Sequence, residues 1–326
     1  MSRFSQSLRV LIHAGTHKTG TTSIQAVLSD HRKRLRKRGV LYPDTKPYLG
    51  GGRHAHHRFA HALVGTDEHA HEAAHRFINH VSATAKPGET ILLSSEAFYR
   101  RVHGTKRWRS VSKQDYWALR TRYLSRVAEM LPTSEVGVLL YLRRPDLFAE
   151  SLYRENVTKS LVKVSFYEWL RRTYPLFQYN AQVQAFSGAF PSVQICRYED
   201  AVDEGLVESF FRQLGLPAPA PGPWTRRSPD ARLILWMHDR RPGTWEQRRE
   251  FAASEEAMSL FDDYGATTLW GSAEDRDAFL HQFDGAYGVD FFPDPQEMLP
   301  TATLSDEDAR RIDEAWARWQ HRNGHR

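Results

Sequence analysis

The sequence predicts a three-layer α/β/α fold with a central, mostly parallel sheet, followed by a helical C-terminal extension. Short apolar or β-branched runs typical of buried parallel strands alternate with helical patterns. Strand patterns end near Pro217, and only helical patterns follow it. We therefore expect residues 1–216 to form the α/β core, and residues 217–326 to form a helical extension packed on it within one globular unit.

Five runs are predicted to be strands: 8–14, 39–42, 90–95, 136–142 and 193–198. One helical face after the first strand is predicted from the spacing of Ile24, Val27, Leu28, His31 and Leu35. Further helices are predicted over 116–131, 147–159, 206–214, 230–240, 245–261, 273–287 and 305–319. Alternating strands and helices form right-handed units, so the carboxyl ends of the strands should share one edge of the sheet.

Composition excludes several classes of protein. With 40% hydrophobic residues in 326, the chain can bury a large core and is not mostly disordered. No apolar run approaches the roughly 18 residues of a membrane span, and the N-terminus lacks the apolar stretch of a secretory signal. The single cysteine, Cys196, excludes an intrachain disulfide, so we expect a cytoplasmic location. The net charge of +6 suits nucleic acid, anionic glycans, membranes or phosphate-bearing ligands alike.

The most informative segment, GTHKTGTT (15–22), joins the first strand to the first helix. Gly15 and Gly20 have the spacing of the nucleotide-binding loop G-x-x-x-x-G-K-[ST], in which backbone N–H groups and the helix end bind an anion. However, Thr21 stands where that loop has its lysine, and the cation is Lys18 instead. A plain strand-to-helix turn is the alternative; the lysine and the Thr-Thr helix start favour a phosphate site.

The segment HKTGTTSIQ (17–25) resembles the 5′-phosphosulfate loop of sulfotransferases that use 3′-phosphoadenosine-5′-phosphosulfate (PAPS). The resemblance implies a P-loop nucleotide-kinase-like core, PAPS as donor and 3′-phosphoadenosine 5′-phosphate (PAP) as product. It implies that Lys18 stabilises the bridging oxygen of the leaving nucleotide and that no metal is required. Ser23 departs from the family, in which an aromatic residue often stacks on adenine here. The implied donor-binding residues of the loop are His17, Lys18, Thr19, Gly20, Thr21 and Thr22.

A second element follows the strand over 136–142. Arg143, Pro145 and Ser151 match the spacing of the family's 3′-phosphate element, and the resemblance implies that Arg143 and Ser151 bind that phosphate. The family's usual second arginine is missing, since Phe148 occupies its position. Without the resemblance, Arg143 reads as a surface charge and Ser151 as an ordinary helical residue. A weaker match, RYED (197–200) before a helix ending in Leu-Gly-Leu, has a mainly structural role in the family.

Transfer to a hydroxyl or amine also needs a base, and Glu96 is the candidate. It stands at the carboxyl end of a predicted strand, the edge at which open α/β sheets bind ligands. Some glycan sulfotransferases use a glutamate and others a histidine, so His57 and His61 are alternatives. Glu96 could also be a supporting group or a helix N-cap.

Two other groups of residues have open interpretations. A basic stretch with an aromatic residue, from Arg100 to Arg109, follows Glu96 and could bind an anionic or sugar acceptor or be a solvated loop. His71 and His75 are four residues apart, the spacing of two zinc ligands on one helix face. No glutamate or cysteine completes that pattern, so we expect packed or solvated histidines.

The leading hypothesis is therefore a metal-independent sulfotransferase that transfers the sulfuryl group of PAPS to a small-molecule or glycan acceptor, a glycan being favoured. An ATP-dependent kinase of the same broad fold is one alternative and predicts magnesium dependence. A basic nucleic-acid-binding protein is the other, although no recognisable nucleic-acid module is present. The sequence names neither the acceptor nor the oligomeric state.

Overall fold

A computed structural model describes residues 8–16, 19–50, 56–105, 111–159, 162–219, 228–262, 265–283 and 298–324. The chain divides into two compact units. The first contains Met1–Arg144 and Pro175–Trp224, and the second contains Pro145–Tyr174 and Thr225–Arg326. Pro145–Tyr174 thus groups with the C-terminal helices although it precedes the last strand of the sheet. The predicted division into 1–216 and 217–326 stays a prediction.

The first unit contains a five-stranded sheet. Its strands are β1 (Arg9–Gly15), β2 (Val40–Leu41), β3 (Thr90–Ser94), β4 (Val136–Leu142) and β5 (Ser192–Arg197). The order is β2-β3-β1-β4-β5, and every neighbouring pair is parallel. The predicted α/β class with a parallel central sheet is confirmed. β1 is central, and its carboxyl end lies between those of β3 and β4, with His13 in register with Ser94 and Gly15 with Tyr141.

The helices are α1 (Thr21–Asp30), α2 (Arg32–Arg36), α3 (Lys46–Leu49), α4 (His57–Ala62), α5 (Glu68–Thr84), α6 (Ala97–Arg100), α7 (Lys113–Met130), α8 (Pro145–Thr158), α9 (Phe166–Thr173), α10 (Tyr179–Ala189), α11 (Tyr198–Asp203), α12 (Leu206–Gln213), α13 (Ala231–Arg240), α14 (Trp245–Ala252), α15 (Glu255–Met258), α16 (Ala273–Leu280) and α17 (Asp306–Arg322). Helices α8, α9 and α13–α17 belong to the second unit. No helix in the described residues is both long and apolar enough to cross a membrane.

Two predicted helices are interrupted. His31, with φ −104° and ψ 17°, ends α1, and a separate helix α2 follows in which only Leu35 is buried. Residues 245–261 form α14 and α15 because Ser254 caps a new helix, its side chain accepting from the Ala257 N–H. Helix α16 ends at Leu280 and continues as a short 3₁₀ turn, while residues 284–287 of the predicted helix lie outside the described residues.

The core of the first unit lies between the sheet and its helices. Buried side chains of α1, such as Ile24 and Leu28, share one apolar cluster with Leu92 of β3, Tyr141 of β4 and Phe210 of α12. These contacts place α1 over the sheet directly after β1. The loop that joins β1 to α1 is therefore held at the carboxyl edge of the sheet.

Candidate functional site

The start of the β1–α1 loop is tied to the end of β4. The Thr16 N–H donates to the Tyr141 carbonyl at 2.9 Å, and the Thr16 hydroxyl oxygen accepts from the Arg143 N–H at 3.2 Å. The Thr19 hydroxyl donates to the Thr16 carbonyl at 2.8 Å, and both threonines are fully buried. A Cβ atom on Gly15 would lie 2.4 Å from the Tyr141 carbonyl oxygen, so glycine is required for this close approach.

Gly20 ends the loop and is the N-cap of α1. Its backbone is left-handed, with φ 61° and ψ 16°, a conformation that favours glycine. A Cβ atom here would lie only 2.1 Å from Leu206 Cδ2. Gly20 therefore has both a conformational and a steric reason to be glycine.

The N-terminus of α1 has neither a side-chain cap nor an acidic residue in its first turn. In contrast, Asp67 and Ser112 cap α5 and α7 by accepting backbone hydrogen bonds. Orphan N–H groups and the positive end of the helix dipole make such a terminus suitable for an anion. Of the two threonines here, Thr21 is buried and Thr22 exposed. Together with the glycine-ended loop, these features suit a bound anion such as a phosphate.

His17 and Lys18 lie outside the described residues. Their roles as donor ligands, and that of Lys18 as the cation beside the leaving oxygen, stay predictions. The same holds for residues 106–109 of the basic stretch after Glu96.

Glu96 meets the loop directly. The Thr21 hydroxyl donates to Glu96 Oε2 at 2.5 Å, although the two residues are 75 positions apart in the chain. Glu96 follows β3 and is the N-cap residue of α6, and 19% of its side chain is exposed. It makes no side-chain cap, so the N-cap alternative is not the role of this carboxylate. The predicted base and the predicted phosphate loop are thus in contact.

His57, the first residue of α4, lies beside Glu96. Its Nε2 atom is 4.0 Å from Glu96 Oε1, and its Nδ1 atom is 2.7 Å from the Ser95 hydroxyl, which also accepts from the Ala97 N–H. Burial is the main cause that lowers the pKa of His57; Glu96 acts in the opposite direction, and two nearby arginines reinforce the lowering. A lowered pKa favours the neutral imidazole, which can accept a proton.

His61 is engaged elsewhere. Its Nε2 atom lies 3.0 Å from Arg101 Nη2, and its ring centre is 6.5 Å from that of His57. Because a guanidinium can only donate, His61 Nε2 accepts this hydrogen bond. Of the two histidines proposed as alternative bases, His57 is therefore the one in contact with Glu96.

A buried polar network supports the ends of β1 and β3. His13 Nδ1 lies 2.8 Å from the Ser94 hydroxyl, which also accepts from Gln25 at 3.2 Å. His56 Nδ1 accepts from the Ser94 N–H at 2.9 Å and its Nε2 donates to the Pro43 carbonyl at 3.0 Å. Burial lowers the pKa of His13 to about 3 and that of His56 to about 4, so both are neutral. Sequence reasoning missed this network; its signal is histidine and serine within otherwise apolar strands.

Arg143 stands at the end of β4, next to the loop. Besides the contact of its N–H with Thr16, its carbonyl accepts from the Tyr179 hydroxyl at 2.6 Å. Its guanidinium carbon lies 5.3 Å from the centre of the Tyr198 ring. Glu199, which we did not expect at the site, accepts from the Arg144 N–H at 3.0 Å and so has a structural role.

Ser151 belongs to α8 in the second unit. It is buried, and its hydroxyl has no hydrogen-bond partner among the described residues. A buried orphan hydroxyl is available for a ligand. The joint binding of one phosphate by Arg143 and Ser151 stays a prediction.

In the part of the chain that the structure describes, no group of three histidine, cysteine, aspartate or glutamate residues could hold a metal ion. His71 and His75 have their ring centres 4.9 Å apart, and His71 Nδ1 lies 3.1 Å from Arg126 Nη2. An arginine donor contacts this nitrogen, and His71 is partly exposed and His75 exposed.

No protein-family model and no curated protein matches this chain. Among solved structures, it is similar to a sulfotransferase from Alicyclobacillus acidocaldarius, with 18% identity, 72% of this chain and 91% of that chain covered, and a TM-score of 0.40. It is also similar to the sulfotransferase domain from the curacin biosynthetic pathway, with 12% identity, 94% and 97% coverage, and a TM-score of 0.38. A further similar structure is that of the PezAT toxin–antitoxin system of Streptococcus pneumoniae, with 14% identity, 77% and 89% coverage, and a TM-score of 0.26.

Proposed function

We propose that the protein is a sulfotransferase that transfers the sulfuryl group of PAPS to a hydroxyl or amine of an acceptor, with a glycan favoured. The observation that carries this proposal is the hydrogen bond between Thr21 and Glu96. It joins a loop with the features of a phosphosulfate site to a carboxylate at the end of the neighbouring strand. A donor site beside a base is what group transfer to a hydroxyl requires.

The loop residues have distinct roles in this proposal. The Thr19 hydroxyl is used within the loop, so Thr19 contributes to the anion site through its backbone, as Gly20 does. Thr21 and Thr22 add hydroxyl groups at the N-terminus of α1, where the helix dipole favours negative charge. Lys18 and His17 complete the proposed donor site.

The 3′-phosphate is assigned to Arg143 and Ser151. The fixed positive charge of Arg143 suits a phosphate, and its guanidinium can form two parallel hydrogen bonds to the oxygens. The two proposed phosphate-binding elements are connected by the hydrogen bond from the Arg143 N–H to the Thr16 side-chain hydroxyl. We expect binding at one element to depend on the integrity of the other.

In the proposed reaction, Glu96 takes the proton of the acceptor hydroxyl as the acceptor oxygen bonds to sulfur. The bond between sulfur and the bridging oxygen of PAPS breaks, so negative charge develops on that oxygen of the leaving nucleotide. Lys18 stabilises this charge, and the N–H groups at the start of α1 hold the 5′-phosphate. His57, 4.0 Å from Glu96, is the alternative base.

The test of donor recognition is calorimetric titration of the whole protein with PAP and with AMP. We expect PAP to bind much more tightly than AMP, and Lys18→Ala and Arg143→Ala to weaken PAP binding at least tenfold. Lys33→Ala, which removes an exposed charge from α2, is the matched control and should bind PAP normally. Equal affinity for PAP and AMP would contradict the 3′-phosphate assignment.

The test of the reaction is transfer of radiolabelled sulfate from PAPS to glycan, phenol and lipid acceptors in the presence of EDTA. We expect transfer to persist in EDTA; ATP turnover that EDTA abolishes would favour the kinase alternative instead.

Glu96→Gln separates catalysis from loop structure, because the glutamine carbonyl still accepts from Thr21. It should lower kcat by roughly 10²–10⁴ while PAP affinity is unchanged. If His57→Gln has this effect and Glu96→Gln does not, His57 is the base.

A further inference from the structure

Arg101 is a half-buried arginine for which the described residues provide no carboxylate partner. It follows α6 as its C-cap residue, and Arg101 Nη2 lies 3.0 Å from His61 Nε2. Its Nε atom is buried without a hydrogen-bond partner, and no carboxylate of the described residues pairs with it. Burial, reinforced by Arg100, lowers the pKa of Arg101 to about 10, so it stays charged at neutral pH. A desolvated cation is unfavourable unless an anion accompanies it.

A second arginine holds Arg101 in place. Arg120 is fully buried, and its Nη1 donates to the Arg101 carbonyl at 2.8 Å while its Nε donates to Gln182 at 3.0 Å. Its guanidinium carbon lies 5.7 Å and 4.9 Å from the ring centres of Tyr123 and Phe186. The Arg120 guanidinium is therefore buried and contacts the backbone of Arg101. Arg120 thus holds the Arg101 backbone in place, while among the described residues no anion pairs with the Arg101 side chain.

Arg101 and the proposed base lie at opposite ends of the same short helix. Glu96 precedes α6 and Arg101 follows it, and five residues at about 1.5 Å per residue separate their Cα atoms by roughly 7 Å along the axis. Helix α4 runs beside this segment: His57 lies next to Glu96, and His61 lies next to Arg101. Glu96 and Arg101 are thus separated by the length of α6, and helix α4 places a histidine beside each of them.

We propose that Arg101, with His61 beside it, is the subsite for an anionic group of the acceptor, a carboxylate or a sulfate ester. The acceptor is then an anionic molecule whose reacting hydroxyl lies at Glu96 while its charged group lies at Arg101. This inference rests on the proposed sulfotransferase function and names the class of its acceptor. A planar guanidinium binds both groups through two parallel hydrogen bonds.

The first test uses inorganic sulfate as the probe and needs no acceptor. Calorimetric titration of the whole protein should detect sulfate at the phosphate loop, at the proposed 3′-phosphate element and at the Arg101 subsite. Arg101→Gln should remove the site at Arg101, and Lys18→Ala should remove the site at the loop. Arg58→Gln removes an exposed arginine from α4 and, as the matched control, should retain both.

The outcomes separate this inference from the proposed function. If Arg101→Gln binds sulfate as the wild type does, the anionic subsite is wrong while the donor site stands. If Lys18→Ala has no effect and Arg101→Gln does, the donor assignment fails while the subsite stands. A circular dichroism melt of each variant verifies folding. If Arg101→Gln does not fold, Arg101→Lys replaces it in this test. Lysine keeps the charge without the planar guanidinium, so this variant should bind sulfate with intermediate affinity.

The second test compares an unsulfated chondroitin oligosaccharide with its carboxyl-reduced counterpart as acceptors. The wild type should prefer the carboxylate form in kcat/KM by about 10- to 100-fold, the range for hydrogen bonds to a charged group. Arg101→Gln should lose this preference without a change in PAP affinity, whereas Arg58→Gln should keep it. A wild type that transfers equally well to both forms would overturn the inference.

Discussion

Replacement of Gly20 by alanine tests whether the loop geometry is as tightly constrained as the structure indicates. Two separate penalties apply. Alanine in the left-handed conformation of Gly20, with φ 61°, costs about 1–2 kcal/mol. The added Cβ would lie 2.1 Å from Leu206 Cδ2, and forced repacking of this kind costs about 1–3 kcal/mol. We expect Gly20→Ala to lower the free energy of unfolding by about 2–5 kcal/mol.

Gly39 provides the matched control. It also has a left-handed backbone, with φ 82°, but a Cβ atom there would meet nothing within 4 Å. Gly39→Ala should therefore show only the conformational penalty of about 1–2 kcal/mol. The difference between the two variants isolates the contact with Leu206.

The assay is scanning calorimetry, in which 1 kcal/mol shifts the midpoint by about 2–4 °C for a domain of this size. A double-mutant cycle with Leu206→Ala completes the experiment, because removal of the leucine side chain makes room for the new methyl group. We expect Gly20→Ala and Leu206→Ala to be non-additive by about 1–3 kcal/mol, with the double variant more stable than the sum predicts. Equal midpoints for Gly20→Ala and Gly39→Ala, together with strict additivity, would refute the reasoning.

The remaining predictions concern pH and two buried contacts. In the unfolded chain His13 and His56 bind protons below about pH 6.5, whereas in the folded protein their pKa values are about 3 and about 4. The contribution of these histidines to the free energy of unfolding is therefore complete above pH 6.5 and is lost as the pH is lowered. Each histidine should contribute a loss of about 2 kcal/mol at pH 5, measured by urea unfolding, and His56→Gln should remove its share. Arg120→Met should weaken sulfate binding at Arg101, measured by calorimetry, while PAP affinity is unchanged. Thr21→Val, which removes the hydrogen bond to a carboxylate, should cost about 1.5–3 kcal/mol in thermal unfolding and also weaken PAP binding.

The strands were the most predictable part of the fold. The run over 136–142 forms β4 with the predicted bounds, and β1, β3 and β5 each differ by about one residue. A strand buried on both faces reads as a continuous apolar run, which local composition reveals. The loop and Glu96 were found for the same reason, since each follows directly on such a run.

Helix boundaries and long-range contacts were less predictable. The break at His31 interrupts an apolar spacing that continues to Leu35, so the pattern by itself favours one helix. The contact between Thr21 and Glu96 joins residues 75 positions apart, and it depends on β1 and β3 being neighbours in the sheet. The pairing of Arg120 with the Arg101 carbonyl depends in the same way on how helices pack. Neither contact has a signal in local composition.

The positive charge of the chain acquires a specific meaning from these contacts. A net charge of +6 can come entirely from basic residues on a solvated surface. Lys33 and Arg58 are exposed residues of this kind. Arg101 differs, because it is half-buried, no carboxylate within the described ranges pairs with it, and a buried arginine holds its backbone. Desolvation makes such a charge unfavourable in the isolated protein and strengthens its attraction for an anion, since the same low dielectric governs both effects. An anionic acceptor would relieve this desolvation penalty when it binds. Its charged group would then contribute affinity at Arg101 while its hydroxyl lies at Glu96.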